Sequence, residues 1–147
     1  MSQSLKMKPS DFDVTTLSSH MGAEICGVDM SRPLDAITID AIYQTWLSHN
    51  VILFRNQKLF DRDLVRFSRY FGELDLGPTM AWQPEEGREH PEIYVISNVM
   101  KDGNAIGFLG DTEVDWHTDL CHSDLPPKAT TLYAVEIPTD GSGDTGY

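Results

Sequence analysis

Acidic and imidazole side chains occupy every second position of one short segment near the C-terminal end of the chain. The segment carries Glu113, Asp115, His117 and Asp119, with mostly apolar residues between them. In an extended strand, residues two apart point to the same face about 7 Å from each other, so these four side chains would project together. Carboxylates and imidazole on one face are typical ligands of a divalent cation. Spacing alone does not choose between Asp115 and Asp119 as the partner of His117.

The bare His-x-Asp pattern is weak evidence, because chance supplies about half of one such pattern in a chain of this composition. This chain contains a second copy, His122-Ser-Asp124, which lies just before Pro126-Pro127 and is interpreted as part of a loop. The first copy also has a simpler interpretation. Alternating polar and apolar residues are typical of an antiparallel strand with one face in solvent and the other on the core.

Composition limits the classes of partner. The chain has 147 residues, of which 40% are hydrophobic, and this predicts a single domain, residues 1–147, with a sizeable core. The formal charge of −12 repels phosphate backbones and anionic membranes, so neither nucleic acid nor a membrane is an expected partner. Two cysteines are too few for a disulfide scaffold, and neither a signal peptide nor an apolar run of transmembrane length is visible, which indicates a cytoplasmic protein.

The predicted elements are mainly strands, with two helices early in the chain. The first two strands form a hairpin-like start, the first helix begins with Thr38 as its cap, and a glycine-rich connection at 100–112 is expected to be a lid or binding loop. Asn98 ends a strand facing this connection and is a candidate to line a substrate pocket, although a turn asparagine is the simpler interpretation. Strands are predicted at 12–17, 23–28, 51–54, 93–96 and 130–137, and the second helix at 61–72.

Seven motifs follow one another along nearly the whole chain. They are Gly22-Ala-Glu24-Ile-Cys-Gly27-Val-Asp29, Ser31-Arg-Pro33-Leu34, Val51-Ile-Leu-Phe54-Arg55-Asn-Gln57, Phe71-Gly-Glu73-Leu74, Trp116-His-Thr-Asp119, Pro126-Pro127 and Gly143-Asp144-Thr145. In this order they resemble the taurine catabolism dioxygenase (TauD/TfdA) family. The resemblance implies a mixed α+β, mainly β fold of the double-stranded β-helix, or jelly-roll, type.

The same resemblance implies an Fe(II)- and 2-oxoglutarate-dependent dioxygenase. It implies that His117 and Asp119 are catalytic residues and two of the three iron ligands. It also implies that the hydroxyl of Thr145 helps to bind the distal carboxylate of 2-oxoglutarate. Two histidines and one carboxylate leave three positions of ferrous iron open, enough for a bidentate 2-oxo acid and O2. The implied reaction hydroxylates a small organic substrate while 2-oxoglutarate is converted to succinate and CO2.

One position departs from the family pattern in a way that bears on the substrate. Glu113 stands four residues before the first iron ligand, where taurine-type members carry an asparagine that contacts the substrate. A carboxylate there would repel an anionic sulfonate, so we expect a substrate that offers a hydroxyl or cationic group to Glu113. The alternative is an ordinary surface glutamate.

The resemblance is incomplete at its C-terminal end. The family takes its third ligand, a histidine, and the arginine that binds 2-oxoglutarate from sequence downstream of the Gly-Asp-Thr motif. The sequence therefore predicts a truncated jelly-roll, the N-terminal half of such an enzyme, whose exposed sheet edges favour a homo-oligomer. A non-catalytic remnant acting as a binding or structural module is the alternative, and a zinc hydrolase is disfavoured because no second histidine is suitably spaced.

Overall fold

The structure, a computed structural model, describes residues 12–76, 89–109, 115–142 and 145–147. The chain divides into two compact units, residues 1–112 and residues 113–147, and each is described by itself. Predictions for Glu113, Gly143 and Asp144 lie outside the described residues. The assignment of residues 1–147 to a single domain stays a prediction.

The first unit begins with the predicted hairpin. Strand β1 (Asp13–Thr16) pairs antiparallel with strand β2 (Ala23–Cys26), with Val14 opposite Ile25. The hydroxyl of Ser18 organises the turn by accepting hydrogen bonds from the backbone N–H groups of His20 and Met21. Gly22 has a φ of +90°, a conformation that L side chains rarely adopt. The turn residues thus set the register of the pair.

Along the chain, helix α1 (Ala36–His49) connects β2 to strand β3 (Ile52–Leu53). Strand β3 pairs parallel with β2. The predicted cap, Thr38, is wrong: the carboxylate of Asp35 caps the helix by accepting from the backbone N–H of Thr38 at 2.8 Å. The helix is followed by its C-cap residue, Asn50, whose positive φ of +64° is one that asparagine adopts more readily than most residues. These elements form a β-α-β unit around the fully buried Ile42.

Helix α2 (Asp61–Arg69) completes the core of the first unit. It ends earlier than the predicted Gly72, because Tyr70 and Phe71 donate backbone hydrogen bonds three residues back, to Phe67 and Ser68, and so tighten the last turn. The ring of Phe67 packs between those of Phe54 and Phe71, at centroid distances of 5.5 and 5.2 Å. The buried cluster consists of Ile25, Val28, Met30, Ile42 and Phe67.

Polar side chains hold the loop between β2 and α1 against the rest of this unit. Gln57 donates to the carbonyl of Val28 and accepts from the N–H of Met30, both at 3.0 Å. Arg66 donates to the carbonyl of Met30 at 3.0 Å, and the hydroxyl oxygen of Tyr70 accepts from the backbone N–H of Leu34. These bonds satisfy backbone groups that a loop leaves without partners of its own.

The predicted loop at 100–112 is wrong over its described part, which contains three short strands. Strand β4 (Ile96–Ser97) overlaps the strand predicted at 93–96 only at Ile96, and it pairs parallel with β7 (Phe108–Leu109). Strands β5 (Met100–Lys101) and β6 (Asn104–Ala105) form a hairpin. The hairpin turns at Asp102 and Gly103, both with positive φ. An Asp-Gly pair with two positive φ angles is the preferred sequence of a two-residue hairpin turn.

The described part of the second unit, residues 115–142 and 145–147, contains no strand. The strand predicted at 130–137 is therefore wrong, and the described residues 115–119 do not form the extended strand considered for the segment that carries His117. Since a strand is held by hydrogen bonds to a neighbour, alternating sequence alone does not form one. Instead the chain turns after Thr118, whose carbonyl accepts from the N–H of Cys121 at 3.2 Å.

The complete jelly-roll is not formed by the described residues, whose largest sheet has three strands in the order β1-β2-β3. This partial sheet is compatible with one edge of a double-stranded β-helix, which has eight core strands. No helix in the described ranges is long and apolar enough to cross a membrane.

Candidate metal centre

The second unit brings the side chains of His117 and Asp119 together. Nε2 of His117 lies 3.2 Å from Oδ1 of Asp119. The two side chains are 52% and 47% exposed, so the pair is in contact with solvent. Two residues at the start of a turn thus present one nitrogen and one carboxylate oxygen at a common point.

The backbone carbonyl of Asp115 determines the tautomer of His117. Its oxygen lies 2.7 Å from Nδ1 of the imidazole. Because a carbonyl only accepts hydrogen bonds, Nδ1 carries the proton, and in the neutral ring the lone pair is on Nε2. Histidines that bind metals are commonly oriented by such a hydrogen bond on their second nitrogen.

The neighbouring groups raise the pKa of His117. The hydrogen bond to the Asp115 carbonyl is the largest cause, and the hydrogen bond and negative charge of Asp119 add to it, while partial burial opposes them. A neutral Nε2 and a carboxylate oxygen both present lone pairs, so they repel at this distance unless a proton or a cation lies between them. The raised pKa reflects the proton, and a divalent cation would replace it.

The chemistry of the two donor atoms suits a metal ion. Nε2 and Oδ1 lie 3.2 Å apart, so one cation could contact both. One imidazole and one carboxylate also belong to the ligand set of a ferrous 2-His-1-carboxylate site. These residues therefore fit the iron that the family resemblance implies.

Sequence reasoning missed one residue of this cluster. The hydroxyl of Thr130 donates to Oδ2 of Asp119 at 2.5 Å, across eleven positions of sequence. Both carboxylate oxygens of Asp119 therefore have a partner, because Oδ1 contacts His117 and Oδ2 accepts from Thr130. No spacing rule pairs a threonine with a carboxylate so far away in the chain, so only the folded chain reveals this contact.

The structure distinguishes the residues that spacing could not. Asp115 contacts His117 through its backbone carbonyl, whereas Asp119 does so through its carboxylate. In the second His-x-Asp copy, Ser123 bonds locally with Leu125 and donates its backbone N–H to the carbonyl of Leu120. This turn agrees with the interpretation of that copy as a loop.

The segment that carries Thr145 lies beside Trp116. A side chain added at Gly146 would come within 2.7 Å of Cη2 of the Trp116 ring, so the indole lies against the glycine backbone. Thr145 and His117 are each one residue away from this contact. The absence of a Cβ at Gly146 therefore leaves room for the predicted 2-oxoglutarate segment to lie close to the predicted metal segment.

The two remaining candidates are Asn98 and Glu113. Asn98 is exposed directly after β4 in the first unit, and Glu113 lies outside the described residues. His90 in the first unit stands 4.0 Å from both Glu89 and Glu92. Within the described ranges, no three His, Cys, Asp or Glu side chains are grouped so that they could hold a metal.

The model of the taurine catabolism dioxygenase TauD, TfdA family matches residues 13–147 of this chain. The chain belongs to this family. It is 36% identical over 138 residues to pentalenolactone F synthase of Streptomyces avermitilis. It is 34% identical over 136 residues to an alpha-ketoglutarate-dependent sulfate ester dioxygenase of Pseudomonas putida. Alpha-ketoglutarate is another name for 2-oxoglutarate.

A solved TauD-type structure supports the same membership. The crystal structure of a taurine dioxygenase from Burkholderia xenovorans superposes with a TM-score of 0.54 and 39% identity, over 63% of this chain and 32% of that one. The two curated relatives are matched over 90% and 92% of this chain but only 44% and 40% of their own length. The chain thus spans less than half the length of these TauD/TfdA relatives.

Proposed function

We propose that this protein is an Fe(II)- and 2-oxoglutarate-dependent dioxygenase that hydroxylates a small organic substrate. The observation that carries the proposal is the meeting of His117 Nε2 and Asp119 Oδ1, with Nδ1 of His117 held by a backbone carbonyl. Membership of a dioxygenase family supports it. The names of several relatives, which describe alpha-ketoglutarate-dependent dioxygenases, agree with it.

Each residue of the cluster has a defined task in this proposal. His117 and Asp119 would hold the iron and are the proposed catalytic residues, and the carbonyl of Asp115 keeps the Nδ1 proton so that Nε2 stays available. Thr145 would donate its hydroxyl to the distal carboxylate of 2-oxoglutarate. When bound, iron would supply the activation of O2 that couples decarboxylation of 2-oxoglutarate to hydroxylation of a C–H bond.

The atoms of the proposed reaction balance. One oxygen atom of O2 enters succinate as CO2 leaves 2-oxoglutarate, and the other enters the new hydroxyl group of the substrate. Succinate is therefore a product whatever the substrate is. This makes succinate the measurement of choice while the substrate is unidentified.

For the substrate we infer a molecule with a hydroxyl or cationic group near Glu113, and Asn98 stays a candidate to line a substrate pocket. The support is the carboxylate of Glu113, which disfavours an anionic sulfonate at that position. Replacing Glu113 with glutamine removes the charge and keeps the size. We expect this variant to bind a cationic substrate more weakly, and unchanged substrate affinity in Glu113→Gln would count against the inference.

The function is tested with Fe(II) and 2-oxoglutarate. Under anaerobic conditions a complete site should give a visible charge-transfer band, and on admission of O2 it should form succinate, measured by chromatography. Both signals should be lost in His117→Ala. They should persist in His122→Ala, the matched control, because His122 belongs to the other His-x-Asp copy.

Absence of both the band and succinate would favour the alternative, a non-catalytic binding or structural module. One structural observation supports this alternative, since the described residues supply only two donors to the cluster and no group of three. The same assays therefore separate the two functions.

We further infer a cytoplasmic location, and self-association into a homo-oligomer. The first is supported by Cys26 and Cys121, which are exposed free thiols of the kind that persist in a reducing compartment. The second is supported by β1, an edge strand whose four residues are all exposed. Sedimentation of the purified chain tests the second inference, and a monomer at all concentrations would contradict it.

A further inference from the structure

Thr130 contacts the proposed metal ligand Asp119, but neither the sequence motifs nor the family comparison assigns a task to Thr130. Its hydroxyl is 2.5 Å from Oδ2 of Asp119, a distance typical of a hydrogen bond between a hydroxyl donor and an ionised carboxylate. The partners are eleven residues apart, so the bond is not one of the local side-chain turns that threonine commonly makes. It joins two separate segments of the second unit.

The bond has a geometric consequence for Asp119. A carboxylate at the protein surface rotates about its last torsion, and its two oxygens are then interchangeable. With Oδ2 held by Thr130, Oδ1 is the oxygen that remains directed at Nε2 of His117, 3.2 Å away. The carboxylate is thus oriented to offer one oxygen to a metal and to keep the other in a hydrogen bond.

The chain between the two partners supports a fixed arrangement. Pro126 and Pro127 lie between Asp119 and Thr130 and restrict the φ angles of the connecting loop. A stiffer loop loses less conformational entropy when its ends are held together. The hydrogen bond therefore forms across a loop that is already restricted, which favours a single orientation of the carboxylate.

We propose that Thr130 is a positioning residue that holds the carboxylate of Asp119 in its metal-binding orientation. The proposal rests on the proposed function, because it assigns Thr130 to the same metal. Outer hydrogen-bond partners of metal ligands contribute about 10- to 100-fold to metal affinity. Because His117 and Asp119 are about half exposed, we expect an effect at the lower end of this range, near tenfold.

The test measures binding of Mn(II) alone, by electron paramagnetic resonance, to the complete 147-residue chain. Thr130→Val keeps the shape of the side chain and removes the hydroxyl, and it should weaken Mn(II) binding about tenfold. Thr130→Ser restores the hydroxyl and should bind within about twofold of the wild type. Thr131→Val, at the exposed neighbouring threonine, is the matched control and should bind as the wild type does. The melting temperatures of all variants should equal that of the wild type, which shows that the substitutions do not unfold the chain.

Three outcomes would overturn the proposal. Thr130→Val could bind Mn(II) as tightly as the wild type, Thr130→Ser could bind as weakly as Thr130→Val, or Thr131→Val could lose as much affinity. If Mn(II) binding by the wild type is lost in His117→Ala, these outcomes leave the proposed function standing. If His117→Ala binds Mn(II) as the wild type does, the proposed function and the proposed task of Thr130 are both wrong.

Discussion

At the residue scale, His117 and Asp119 are each held at the atom that does not face the other. The carbonyl of Asp115 holds Nδ1 of His117, and the hydroxyl of Thr130 holds Oδ2 of Asp119. Nε2 and Oδ1 are left facing each other. Two half-exposed side chains thus gain an orientation that neither would keep alone in water.

The different contacts of Asp115 and Asp119 lead to a prediction about their carboxylates. Asp115→Ala removes the carboxylate but keeps the backbone carbonyl that orients His117, so Mn(II) affinity should change by less than about threefold. Asp119→Ala removes a proposed ligand and should abolish binding. Titration with Mn(II) measures both. Equal losses in the two variants would show that the carboxylate of Asp115 also binds the metal.

At the element scale, the short strands of the first unit depend on close backbone approach and on helix capping. Gly107 precedes β7 where that strand meets β4, and a Cβ there would lie 2.6 Å from the backbone nitrogen of Ser97 and 2.9 Å from the carbonyl oxygen of Val95. Asp63, which is buried, caps the start of α2. Both features depend on contacts with backbone atoms rather than on apolar packing.

Gly107→Ala should destabilise the chain. The new methyl group meets backbone atoms that cannot move aside without separating β4 from β7, and overpacking of this kind costs about 1–3 kcal/mol. Urea unfolding followed by circular dichroism measures the change. Lys101→Ala, at an exposed position of β5, is the control and should lie within about 0.5 kcal/mol of the wild type. No loss in Gly107→Ala would show that the β4–β7 pair does not persist in solution.

The start of helix α2 predicts a dependence of stability on pH. The backbone N–H of Phe60 and the charge of Arg66 lower the pKa of Asp63 below the ordinary value of 3.8. A lowered folded-state pKa means that the stabilisation is complete above pH 3.8 and is lost as the pH falls through the folded-state value. In Asp63→Asn this part of the acid dependence should be missing.

Urea midpoints measured between pH 2 and pH 7 test this expectation. Asp61→Asn is the matched control, since Asp61 is exposed in the same first turn of the helix. It should keep the acid dependence of the wild type. If Asp63→Asn keeps it as well, the cap contributes nothing measurable.

At the scale of the whole molecule, the two units differ in how much apolar surface they bury. All buried hydrophobic residues among those described belong to the first unit, whereas Trp116, Leu125 and Val135 of the second unit are more than four-fifths exposed. Few backbone hydrogen bonds join the described residues of the second unit. Segments with few buried contacts open at low free-energy cost.

Hydrogen exchange should therefore distinguish the two units. Amides of β2 and α1 should be protected, and those of residues 115–142 should exchange within seconds, as measured by mass spectrometry of the complete chain. Addition of Mn(II) should slow exchange between residues 115 and 130, because the metal joins His117 to Asp119. Protection of residues 115–142 as strong as that of α1 would contradict this picture.

Much of the first unit could be predicted from sequence, because its signals are local. Ser18 and Gly22 mark the hairpin turn, and the apolar stripe around Ile42 marks α1. The cap at Asp35 and the hairpin at Asp102-Gly103 also carried local signals that the prediction passed over. Several of the motifs that indicate the family, among them those of Gly22, Ser31 and Gln57, have structural tasks in turns and loops.

The sequence by itself determined the family, through the order of its motifs, and the choice of His117 and Asp119 as proposed ligands, through the family pattern. Only the tertiary structure decided which atoms surround them. The periodicity of a strand treats Asp115 and Asp119 alike, and it says nothing of Thr130. The turn after Thr118 breaks that symmetry, directing a carbonyl from one side of His117 and a carboxylate from the other. Contacts between residues distant in sequence depend on the path of the folded backbone, which local patterns do not contain.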